Sequence, residues 1–164
     1  MWLFERISNA NAQASVIFIR ILVGAIFLTE GIQKFLFPAE VGAGRFAKIG
    51  IPGAAVVGPF VGIVEIVFGT LILFGLLTRL AAIPLIINMI VAIISTKIPI
   101  LLGHGFWGFS LRQLPHYGFW GMAHEARVDF SMLLGSVFLL IVGAGRLSLD
   151  KSLFDGSSGG DGTS

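Results

Sequence analysis

The sequence predicts an all-α integral membrane protein, a four-helix bundle threaded antiparallel, up-down-up-down. Three observations carry this expectation. Of 164 residues, 55% are hydrophobic and 12% are charged, and the mean hydropathy is +0.93. A soluble globule of this size leaves too large a share of its atoms at the surface to hide so much apolar side chain. Four stretches, at about residues 15–37, 53–77, 80–102 and 126–147, reach the ~20 apolar residues that a helix needs to cross a bilayer core. None of them alternates as a membrane barrel strand does, and a helix satisfies its own backbone groups in hydrocarbon.

Taken in chain order, residues 1–14 place Trp2, Leu3, Phe4 and Ile7 among polar residues, the pattern of a short interfacial segment. No apolar run precedes the small residues from Ala10 to Ser15, so a cleavable signal peptide is not supported. Residues 15–150 then form one membrane domain. The first span ends at Pro38 and Gly42-Ala43-Gly44, whereas spans two and three are separated only by a tight turn at Thr78-Arg79. That turn makes them an antiparallel hairpin. An aromatic loop over residues 103–125 leads to the fourth span, and residues 151–164, ending in GSSGGDGTS, read as a flexible polar tail.

Composition excludes several functions. With no cysteine, the chain has no disulfide framework, no thiolate nucleophile, and no Cys-ligated zinc or iron–sulfur centre. A net charge of +2, from 11 Lys+Arg against 9 Asp+Glu, comes without a basic run, which argues against a nucleic-acid partner. The expected partners are the lipid bilayer and other membrane or redox protein subunits.

Charged groups inside membrane helices cost about 2.5–3.5 kcal/mol each at the centre, so each calls for a partner or a function. In span one, Arg20, Gly24, Gly31 and Lys34 fall within an arc of about 80° at ~100° per residue, with Glu30 beside it. In span two, Gly58, Gly62, Glu65 and Gly69 fall within about 60°, and the glycines let another helix approach closely. Span three adds Asn88, and span four Arg127 and Asp129. The expected buried polar cluster is therefore Arg20, Glu30, Lys34, Glu65, Asn88, Arg127 and Asp129, with Gly58, Gly62 and Gly69 as helix-packing positions. Antiparallel threading loads one membrane side with Glu30, Lys34, Glu65, Lys97, Arg127 and Asp129. Two readings stand: a functional pocket, or charges that neutralise one another and fix helix register.

The loop repeats Gly-Phe-Trp, at Gly105 and again at Gly118. Such aromatics are first of all interfacial anchors. A sharper reading makes His104, Trp107, His116, Tyr117, Trp120 and His124 a lid that holds a quinone head group. The three histidines lie twelve and eight positions apart, which matches neither a helical zinc pair nor a haem attachment motif. No metal is assigned, and only a convergence of these histidines with Glu125 and Asp129 would supply one. No nucleophile–base constellation or phosphate-binding glycine loop names a catalytic residue.

Separated motifs add a resemblance that covers nearly the whole chain from Ala14 to Asp150. They are Arg20 to Gly24 and Gly31 to Lys34 in span one, Glu65, Gly69 and Gly75-Leu-Leu-Thr-Arg79 in span two, and Gly143-Ala-Gly145-Arg-Leu-Ser148-Leu-Asp150 at the end of span four. The pattern resembles the DoxX family of small bacterial membrane proteins, with Ala144 where that family often has Pro. The resemblance implies a four-helix membrane protein linked with redox chemistry, the class that includes the membrane subunit of thiosulfate:quinone oxidoreductase. It implies Arg20, Lys34 and Glu65 as the family's buried polar set, with Asp150 at the membrane edge.

The leading expectation is therefore a quinone-associated, redox-linked membrane subunit that carries no covalent cofactor. The alternative is a non-catalytic accessory subunit that packs against a larger membrane complex. Lys and Arg divide almost evenly between the two membrane sides, so charge sets no orientation. The resemblance implies a bacterial inner-membrane location with both termini cytoplasmic.

Overall fold

The structure, a computed structural model, describes residues 12–155. The predicted segment over residues 1–14 therefore falls almost wholly outside the described residues, as does the tail from Gly156. Helix α1 runs Ala12–Leu36, the short α2 Ala43–Ile49 and α3 Ala54–Phe74. Helix α4, Thr78–Ala92, continues through a π-helical turn at Ile93–Lys97 into α5, Ile98–Leu102. After the loop come α6, Phe119–Val142, and the short α7, Leu149–Asp155. The described residues contain no strand, only an isolated bridge between Phe106 and Phe109.

Among the described residues, three helices are long and apolar enough to cross a membrane: Gln13–Leu36, Ala54–Phe74 and Thr78–Leu102. The fourth expected span, at about residues 126–147, is not among them. Helix α6 begins at Phe119 rather than 126 and stops at Val142 rather than 147, because Gly143 and Gly145 both take positive φ. It has the length of a span, but Glu125, Arg127 and Asp129 lie in its first half. Phe119, Trp120 and His124 consequently belong to a helix and not to the aromatic loop. Two elements that apolar patterning does not reveal are α2 and the π turn, and residues 151–155 continue α7 rather than starting a flexible tail.

Glycines set the spacing of α1 and α3, the most closely packed pair of helices. A Cβ on Gly24 would lie 2.8 Å from the Gly69 carbonyl and the Leu73 amide, and one on Gly31 would lie 2.7 Å from the Gly62 carbonyl. Pairing position 24 with 69 and position 31 with 62 makes these two helices run in opposite directions. The contact is backbone on backbone, so a side chain there has to push whole helices apart. Gly24→Ala is expected to cost about 1–3 kcal/mol, the range for overpacking, measured as a lower unfolding temperature in detergent. Around this seam Val23, Phe27, Ile72, Ala82, Leu85 and Leu139 form the buried core.

A polar clasp closes the end of the assembly near Gly75. The last four carbonyls of a helix have no partner within it. Arg20 supplies partners for α3: its Nε donates to the Ile72 carbonyl at 3.0 Å and Nη2 to that of Leu73 at 2.8 Å. Its Nη1 reaches the carbonyls of Ala144, at 3.1 Å, and Leu147 in the segment after α6. Asp150 completes the clasp at the start of α4, where its carboxylate accepts from the amides of Leu77 at 2.7 Å and Thr78 at 3.3 Å. The Asp150 amide in turn donates to the Gly75 carbonyl. Gly75 has φ +69, and a Cβ there would meet the Arg20 guanidinium, so only glycine serves both needs.

Candidate functional site

Toward the other end of the helices lies a cavity of about 470 Å³, bordered by α1, α2, α3, α4, the π turn, α6 and the loop. Such a volume lies within the usual range for a small-molecule site. Most of its wall is apolar, including Ile26, Phe27, Val57, Val61, Met89 and Met132. Six charged side chains line it as well: Glu30, Lys34, Arg45, Glu65, Lys97 and Asp129.

Glu65 is the charge at its heart. It sits on the glycine stripe of α3, which faces α1, and its side chain is 4% exposed. Lys34 Nζ stands 2.6 Å from Glu65 Oε2, and Asn88 Nδ2 donates to Oε1 at 2.7 Å. Both carboxylate oxygens are thus satisfied from two different helices. Lys34 also lies 3.9 Å from Glu30 Oε2, whose side chain is about half exposed. One buried cation therefore joins a carboxylate in the cavity to a carboxylate near the surface.

A second pair faces the same cavity. Lys97, at the end of the π turn, stands 3.1 Å from Asp129 Oδ2 on α6. A π turn holds one residue more than an α turn and re-aims the side chains that follow it, and such turns are frequent at functional sites. Ser95 and Lys97 are both buried in it.

The outer wall comes from α2 and the loop. Gly58 admits α2, since a Cβ there would lie 2.8 Å from the Ala43 amide nitrogen. Helix α2 then contributes Arg45, Phe46 and Ile49 to the cavity. The Ser110 amide donates to the Ile49 carbonyl at 2.7 Å, which ties the loop to α2 and brings Phe109 to the wall.

The structure divides the residues expected from sequence. It brings Glu30, Lys34, Glu65, Asn88 and Asp129 to one cavity. Arg20 is buried, but in the clasp, where its partners are backbone carbonyls. Arg127 is exposed and donates to the His124 carbonyl at 2.6 Å. Gly62 faces Phe35 and Gly31 of α1, and Gly69 faces Leu28 and Gly24.

The loop aromatics do not cover the cavity. Trp107 and Trp120 are 84% and 81% exposed, and the Tyr117 hydroxyl bonds within its own loop to the Leu114 amide and the Arg112 carbonyl. His104, His116 and His124 are exposed and outside the lining, and no three His or carboxylate side chains gather in metal-binding fashion among the described residues. Lys97, Arg45, Phe46 and Phe109 are lining residues outside the expected cluster. Antiparallel threading puts Lys97 on the loaded side without naming it in the cluster, and a basic residue in a Gly-rich connection is the sequence signal for Arg45.

The DoxX family model matches residues 15–98, more than half of the chain. The chain belongs to the DoxX family. This DoxX protein is 55% identical over 150 residues to an uncharacterized membrane protein of Mycobacterium tuberculosis, an alignment that covers 92% of this chain and 88% of that one. It is 27% identical over 153 residues to CatD of Bacillus subtilis, whose name carries a provisional oxidoreductase assignment, with 93% of this chain and 97% of CatD covered. No solved structure matches the chain. It is a membrane protein, and the family match contains Lys34, Glu65, Asn88 and Lys97 but ends before the loop and Asp129.

Proposed function

We propose that this DoxX protein is a quinone-associated, redox-linked subunit whose charged cavity binds the quinone head group. In this reading α6 makes a fourth crossing, antiparallel to its neighbours. The observation that carries the reading is the buried Lys34–Glu65–Asn88 network facing an apolar cavity of head-group dimensions.

The donor set fits such a ligand. Quinone oxygens accept hydrogen bonds, and an ammonium offers three donors. Lys97 spends one on Asp129 and keeps the others, while Phe27, Phe46 and Phe109 provide flat apolar surface. A bound quinone supplies reversible two-electron, two-proton chemistry. The chain contributes binding, orientation and protons: Glu65 and Lys34 hold a proton at their contact, and Glu30 offers that pair a route to the surface. In this reading the electrons come from a partner subunit. The oxidoreductase name of CatD agrees with this role.

Purified protein is expected to retain a membrane quinone through mild-detergent extraction and to show tryptophan quenching by a short-chain quinone. Glu65→Gln is expected to weaken quenching about tenfold, or ~1.4 kcal/mol. A wild-type protein with neither bound quinone nor quenching defeats the proposal. The accessory-subunit alternative rests on outward apolar residues such as Phe18, Val56 and Ile141, which lipid covers equally well. It leaves the cavity charges only the task of fixing helix register. We place the protein in the bacterial inner membrane with both termini cytoplasmic, and a reporter fused after Ser164 tests the orientation.

A further inference from the structure

Of the six charged side chains that line the cavity, five are paired. Lys34 serves Glu65 and Glu30, and Lys97 serves Asp129. Arg45 has no hydrogen bond or ion pair to any described residue. It is half-buried on α2, nine residues beyond the end of α1 at Leu36, in the segment that joins two candidate membrane spans. Val41, Phe46, Ile49, Ile51 and Val57 line the same cavity wall. A guanidinium held beside apolar surface without a counter-charge is costly, and its planar fork matches an oxyanion with two parallel bonds.

We propose that the cavity mouth binds an anionic amphiphile, with its oxyanion on Arg45 and its hydrocarbon body against Val41, Phe46, Ile49 and Val57. The apolar surroundings decide for an amphiphile over a small soluble anion. The unpaired cation decides for an acidic head over a neutral one. This site needs the cavity but not a quinone, because Arg45 takes no part in the Lys34–Glu65 contact. It gives the protein a preference for acidic lipid or fatty acid at one membrane face.

The test uses full-length protein in mild detergent, with lipid retention read by native mass spectrometry. The probes are phosphatidylglycerol, phosphatidylcholine with the same chains, oleate, and glycerol 3-phosphate as the chainless head. Phosphatidylglycerol or oleate is expected to be retained about tenfold better than phosphatidylcholine. Retention of only one of the two assigns the head as phosphate or carboxylate. Arg45→Gln is expected to bring the acidic and neutral probes to parity, Arg45→Lys to keep part of the preference, and Lys48→Gln, on the exposed side of α2, to leave it intact.

Equal retention of phosphatidylglycerol, oleate and phosphatidylcholine by wild type overturns the proposal whatever the variants do, and so does a preference that survives Arg45→Gln. Binding of glycerol 3-phosphate as strong as that of the whole lipid makes this a soluble-anion site and overturns it too. If Arg45→Gln fails to fold, the wild-type comparison and Arg45→Lys decide. Quinone quenching is recorded on the same samples, so failure of either reading shows by itself.

Discussion

Arg20→Leu is expected to lower stability by about 3–5 kcal/mol, enough to abolish a cooperative unfolding transition in detergent for a marginally stable chain. Arg20 is 3% exposed and donates to four backbone carbonyls, two at the end of α3 and two in the segment after α6. The Ile72 carbonyl keeps its bond from the Gly75 amide, whereas each buried acceptor left without a donor costs roughly 1–3 kcal/mol, and relaxation or water recovers part of the sum. The damage should be non-local, because these carbonyls belong to segments more than 50 and more than 120 positions away in sequence. Arg20→Lys is expected to recover less than half of the loss, since a single ammonium cannot span what a guanidinium fork spans. Thermal unfolding followed by circular dichroism reads all three proteins. A leucine variant within 1 kcal/mol of wild type would mean that water or lipid headgroups satisfy those carbonyls equally well.

The same arginine shows how far a sequence can be read. At ~100° per residue Arg20 and Lys34 share one face of α1, and that face does turn inward for both. Fourteen residues of helix, however, separate them by about 21 Å along the axis, so one stripe serves two sites. The motifs around Gly75 and from Gly143 to Asp150 belong to the clasp and act with Arg20. Glu65 and Lys34 belong to the cavity.

Lys97 fails in the opposite way. Counted on an ideal helix it lies about 180° from Asn88, on the far side, and only the π turn brings both residues to one cavity. No apolar pattern encodes that extra residue, because Ile and Val fill every face of this span. The first three apolar stretches were legible, being set by transfer energy summed over some twenty residues. The ends of α6 were not, because they depend on two glycine conformations and on a polar first half whose charges are paired from other segments, Asp129 with Lys97 and Glu125 with Arg112. In the loop, hydropathy favours the tryptophans as ligands, yet the bond from Ser110 to Ile49 turns Phe109 inward and leaves Trp107 at the surface.

Removing one partner of the Lys34–Glu65 pair and removing both should give opposite results. Lys34→Met or Glu65→Leu alone leaves a buried charge with no counter-charge within the pair, and each is expected to cost about 3–5 kcal/mol. Lys34 keeps a weak second partner in Glu30 at 3.9 Å, so Glu65→Leu should be the milder of the two. The double variant exchanges two desolvated charges for apolar side chains of similar length, an exchange that is often neutral or favourable in buried sites. It is expected to unfold within about 1 kcal/mol of wild type, with Asn88 losing its acceptor as the residual cost. Stability then no longer distinguishes it from wild type, and quinone quenching measured on this folded protein isolates the chemical role of the pair. Loss of quenching in a stable double variant means that the charges serve the ligand. Quenching that persists at wild-type strength means that they serve only helix register, and the apolar cavity alone accounts for binding.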